Sequence, residues 1–113
     1  MSAQPEVIVS FKVPDPEPDL YPICCIREQG RPVIVVRAQN ALMINSPQAK
    51  QAAAKAQIHV PGYQNNGIEP LGGAYCVDST SGKFLPNPPM VKEGEALPAS
   101  VRYERKFRLN PSL

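Results

Sequence analysis

The residues that could do chemistry are few. The chain has one histidine, His59, and three cysteines, Cys24, Cys25 and Cys76. Nucleophilic catalysis needs a serine or cysteine supported by a general base, usually histidine. A pair of His59 with Cys76 or with one of the adjacent cysteines satisfies that on residue type. No flanking motif supports it, and His59, beside Val60-Pro61-Gly62, reads as an exposed or edge histidine. A zinc centre needs about four ligands, which His59 and the three cysteines would supply. The adjacency of Cys24 and Cys25 removes the two-to-four-residue gap that lets two thiolates reach one ion. Ser81-Gly82-Lys83 resembles the end of a phosphate-binding loop, but the full pattern needs glycine at 77 and Ser or Thr at 84. Val77 and Phe84 stand there, so a hairpin turn explains the tripeptide. Glu93 and Glu95, two apart in a Gly- and Pro-flanked stretch, read as solvated loop charge. The sequence therefore predicts no catalytic set, no cofactor and no metal ligands, and a protein that is not an enzyme.

Charge offers a different kind of site. The formal net charge is +2, too small to argue for nucleic acid by itself. Its distribution is uneven. Glu6, Asp15, Glu17 and Asp19 outnumber Lys12 near the start, and Arg102, Arg105, Lys106 and Arg108 outnumber Glu104 near the end. Asp15, Glu17, Asp19, Arg102, Arg105, Lys106 and Arg108 are the candidate partner contacts, because oppositely charged ends allow head-to-tail contact between copies. The same C-terminal cations could serve a single-stranded nucleic acid. In an alternating strand, however, Tyr103 and Phe107 point away from them, and stacking platforms need aromatics and cations on one surface.

The elements that must position these residues are short. Fourteen of 113 residues are proline, well above the usual ~5%. Each proline fixes φ and removes a donor, so helices and central strands are repeatedly interrupted. Apolar runs persist between them, which argues against general disorder. Val7, Val9, Phe11 and Val13 alternate as one face of a strand, which stops at an acidic, Pro-rich extended spacer over 14–19. Tyr21–Arg27 and Val33–Ala38 read as a β-hairpin around Gly30, and the unbroken Val33–Val36 run predicts burial on both faces. Ser46-Pro47 opens a predicted helix through Gln57, the only one, with a thin alanine face. Residues 58–73 read as loop, with Asn66-Gly67 suited to a tight turn. A second hairpin joins 74–77 to 83–85, followed by an irregular Pro-rich connection over 86–98. Val101–Leu109 closes the chain as a strand. Val101, Tyr103, Arg105, Phe107 and Leu109 share one of its faces; Arg102, Glu104, Lys106 and Arg108 share the other.

About six short strands, Pro-rich turns and one short helix predict a mainly β, single small domain over 1–113. Its expected form is a small antiparallel β-sandwich or barrel-like sheet with extended Pro-rich arms. An odd cysteine count without regular spacing predicts buried free thiols in a reducing compartment. No signal-like leader is recognisable and no apolar run nears the ~20 residues that span a bilayer, so neither secretion nor membrane insertion is expected. Stiff arms, opposite-signed ends and the lack of a catalytic set point to a structural subunit of a large assembly. A virus or phage particle accessory (capsid cement, capsid-associated or tail-associated) is the leading setting, with virion or cytoplasmic location. Its partners would be other protein subunits, copies of itself included. The alternatives are a single-stranded nucleic-acid-binding module and an accessory subunit of a cellular multiprotein complex.

Overall fold

A computed structural model describes residues 6–12, 15–16, 19–63, 67–92 and 94–110. Five strands form one antiparallel sheet: β1 Glu6–Ser10, β2 Tyr21–Glu28, β3 Arg31–Ala38, β4 Ile68–Asp78 and β5 Val101–Leu109. Their order is β1-β2-β3-β5-β4, so β1 and β4 are the edges. The expected sandwich or barrel is thus corrected to one open sheet. Two helices, α1 Ala41–Ile44 and α2 Pro47–Gln57, lie between β3 and β4 in the chain. Since β3 and β4 both run antiparallel to β5, they run parallel to each other, and a helical crossover joins them.

The turn between β2 and β3 is tighter than the sequence suggests. Glu28 pairs with Arg31, leaving a two-residue loop in which Gln29 and Gly30 have φ of 52° and 77°. Two consecutive positive φ values are the mark of a type I′ turn, whose twist matches that of the strands. Between the helices, Asn40 caps α1 by accepting from Met43 N at 2.8 Å. The Ser46 hydroxyl makes no cap hydrogen bond to α2; it donates to Met43 O at 2.6 Å. Pro47 still opens α2, where a missing N–H costs nothing. The short α1 went unpredicted because four residues carry no measurable periodicity.

The alanine face of α2 is the sheet-facing one. Ala49, Ala53 and Ala56 are buried against a core of Cys25, Ile34, Val36, Phe107 and Leu109, with Ile44 from α1 and Val60 beyond α2. Small side chains let the helix approach closely, and Phe107, fully buried, supplies volume from the sheet side. Val33 and Val35 point the other way, into a second cluster with Ile26. The Val33–Val36 run is therefore buried on both faces within a single chain.

Two bulges re-aim side chains. In β1 an extra residue falls between Val7 and Val9, so Val7 lies opposite Ile26 while Val9 lies opposite Cys25. The expected common face of Val7 and Val9 is thereby split: Ile8, Val9 and Phe11 pack on the helix side, and Val7 is exposed on the other. In β4 the register shifts between Leu71 and Tyr75, around Gly72 at φ +75°. Glycine adopts that conformation without a Cβ clash, so β4 runs through a stretch whose Pro70 and Gly72-Gly73 suggest a loop from sequence. The second hairpin is reduced to one bridge, Val77 with Phe84, backed by Asp78 N donating to Lys83 O and Leu85 N to Cys76 O, both at 2.9 Å. The spacer at 14–19 lies partly outside the described residues, as do Val13, Asn66 and Glu93.

Candidate functional site

The helices cover one side of the sheet, and the other side holds the candidate site. Strand alternation places Ile26, Glu28, Val33, Val35, Leu71, Tyr75, Val77, Arg102, Glu104, Lys106 and Arg108 there. An uncovered face of an antiparallel sheet is ordinarily polar. This one has an apolar floor: Ile26, Val33, Val35 and Val77 are all buried. Charged side chains from β5 and aromatic rings from β4 and the following turn roof it.

The charges are matched, one pair within β5 and two across strands. Arg102 donates from Nε and Nη2 to Glu104 Oε2 at 3.0 and 2.9 Å, and Glu104 Oε1 accepts from the Tyr75 hydroxyl at 3.1 Å. Lys106 Nζ reaches Glu28 Oε1 at 2.9 Å and also lies 5.7 Å from the Tyr75 ring centroid. Arg108 pairs with Glu69 on β4. Glu28 Oε2 is buried with no hydrogen-bond partner among the described residues. Beside it opens a hollow of ≈ 370 Å³ lined by Arg31, Leu71, Tyr75 and Lys106. A second hollow of ≈ 380 Å³ lies over Ile26, Val35 and Val77, bordered by Phe84, Arg102 and Lys106. Phe84 stands 63% exposed at that border, its ring centroid 6.4 Å from that of Tyr75.

Burial and the nearby Glu104 push the Tyr75 phenol far above its ordinary pKa. Cys24, which borders the second hollow, is raised chiefly by burial and then by Glu104. Neither group is activated: a nucleophilic thiol needs its pKa lowered, and here it rises. Arg108 holds the Glu69 carboxyl below the usual carboxylate range.

The structure redistributes the residues singled out in the sequence. Arg102, Lys106 and Arg108 share the uncovered face, each with a carboxylate. Arg105 is on the helix side, donating to Ile44 O at 3.4 Å and lying 5.1 Å from the Phe107 centroid. Asp19 is not brought near them; it accepts from Gln39 N at 3.1 Å and Asn40 Nδ2 at 3.3 Å. Asp15 is exposed, and Glu17 lies outside the described residues. Cys25 and Cys76 are buried and unbridged. His59 is exposed after α2, 6.4 Å from Phe11 between ring centroids. The tripeptide 81–83 belongs to a turn in which Asp78 Oδ1 accepts from Thr80 N and Ser81 N at 2.9 and 2.8 Å. Among the described residues no group of three His, Cys, Asp or Glu side chains could hold a metal. No helix among them is long and apolar enough to cross a membrane.

Comparison with protein-family models, with curated proteins and with solved structures finds no match.

Sequence reasoning missed Tyr75, Phe84, Glu28 and Glu69. Tyr75 and Glu69 come from a strand half hidden by Pro70 and the two glycines. Glu28 falls in the turn by sequence pattern but ends β2 in the structure. Phe84 carries a readable signal, a large apolar residue next to a turn, although the hairpin reading of 83–85 gives no sign of its exposure.

Proposed function

We propose that the chain is a non-catalytic assembly subunit that docks a protein partner on the uncovered sheet face. The observation that carries this reading is Phe84, mostly exposed at the edge of an apolar floor and flanked by charges already neutralised in pairs. Protein interfaces have that anatomy, an apolar and aromatic centre depleted of free charge inside a polar rim. Glu28 Oε2 adds an acceptor that a partner's donor could satisfy. The neutralised pairs also bear on partner class. Binding to a polyanion rests on cations free to replace its counterions, and Arg102, Lys106 and Arg108 are each held by a carboxylate.

One observation favours single-stranded nucleic acid as a second reading. Tyr75 and Phe84 lie on the same face as Arg102 and Lys106, the combination a stacking surface needs. Sedimentation of extract from the native source, with this chain located by mass spectrometry, tests the first reading. Recovery in a fast-sedimenting particle supports it. Recovery as a free small protein, together with salt-dependent retention on an oligonucleotide, would replace it with the second.

A further inference from the structure

On the opposite side of the molecule, α2 does not close over the start of the sheet. A groove of ≈ 580 Å³ runs between α2 and the chain at Phe11–Lys12 and Leu20–Pro22. Its floor is apolar: Phe11, Leu20, Pro22, Ala52 and Ala56. The volume falls within the ~300–1,000 Å³ of small-molecule sites. The groove exists because α2 presents alanine at 52 and 56, where longer side chains would fill it. Around the floor stand Lys12 and Lys55, both exposed, with Gln48, Gln51 and His59 as further polar groups. No carboxylate is among the described lining residues. Asp19, next to Leu20, is engaged with Gln39 and Asn40. This rim differs from the uncovered sheet face, where Arg102, Lys106 and Arg108 each pair with an acid.

We infer that this groove binds a single-chain amphiphile with an anionic head, a fatty carboxylate, its chain on the apolar floor and its head at Lys12 and Lys55. Two ammonium groups beside an apolar slot complement a carboxylate on an alkyl chain in both charge and polarity. The site is separate from the docking face and does not depend on it.

The purified full chain is titrated with 11-(dansylamino)undecanoic acid, whose emission rises and shifts to the blue on entering an apolar site. The expected result is saturable uptake of one probe per chain, displaced by dodecanoate and at least tenfold less well by dodecanol. Lys12→Glu with Lys55→Glu, both at exposed positions, should weaken uptake at least tenfold while the circular dichroism spectrum stays unchanged. Ala52→Phe should block the groove, and Phe84→Asp should leave uptake intact. Absence of saturable uptake would overturn the inference. So would equal displacement by dodecanol, uptake indifferent to the paired lysine reversal, or binding of an acidic apolar peptide in place of the carboxylate.

Discussion

The Tyr75 hydroxyl and the Glu104 carboxylate meet across the β4–β5 pair at 3.1 Å, with Glu104 only 7% exposed. Arg102 takes the other carboxylate oxygen, so a buried acid is held by one phenol and one guanidinium. Removing one member of such a set leaves the others desolvated and unsatisfied. Glu104→Leu should therefore destabilise the fold by about 3 kcal/mol, as expected for breaking a buried ion pair. Tyr75→Phe should cost about 1.5 kcal/mol, the lower range for a hydrogen bond to a charged group. A double-mutant cycle in urea measures the coupling; additive losses would show that the two side chains do not share one network.

The β2–β3 turn makes a prediction of opposite sign. Gln29 adopts φ 52°, a conformation for which asparagine and glycine are better suited. Gln29→Asn should raise stability by about 0.5 kcal/mol, on the scale of local backbone substitutions. Gly30→Ala should lower it by about 1 kcal/mol because of φ 77°, although an added Cβ would meet nothing within 4 Å. Thermal unfolding of the two variants should move the midpoint in opposite directions.

Alkaline pH should weaken the fold through Cys25. Burial raises this thiol from its ordinary value to about 11. The folded chain then holds a proton that the unfolded chain releases earlier, so stability is full below pH ~9 and declines as pH rises toward 11. Urea midpoints at successive pH values should fall over that window in the wild type. The decline should be shallower in Cys25→Ala, which starts less stable but carries no thiol to ionise. Parallel curves would show that another group governs the alkaline limb.

Much of this fold was legible in the sequence, where local pattern and final environment agreed. Val101–Leu109 alternates without interruption, and its two faces are those the alternation predicts. The Val33–Val36 run announced burial on both sides, and adjacent Cys24 and Cys25 fall on opposite sides of the sheet. The misreadings occur where one residue changes register. Ile8, the extra residue in β1, turns Val7 away from Val9, and no composition signal marks such an insertion. Pro70 and Gly72-Gly73 hid the first half of β4, since an edge strand tolerates residues that a central strand does not. The candidate site was half visible for the same reason. Its cations lie on the clean strand, whereas their carboxylate partners Glu28 and Glu69 come from a turn boundary and from the hidden edge. Without those partners, the basic strand looked like free charge.

The central claim, that the face around Phe84 meets a protein partner, is tested most directly by site-specific photocrosslinking. A benzophenone amino acid placed at Phe84 in the native source should yield one discrete protein adduct. The same group at Lys50, exposed on α2, should yield none. A nucleic-acid adduct at Phe84, no adduct there, or the same adduct from both positions would contradict the account.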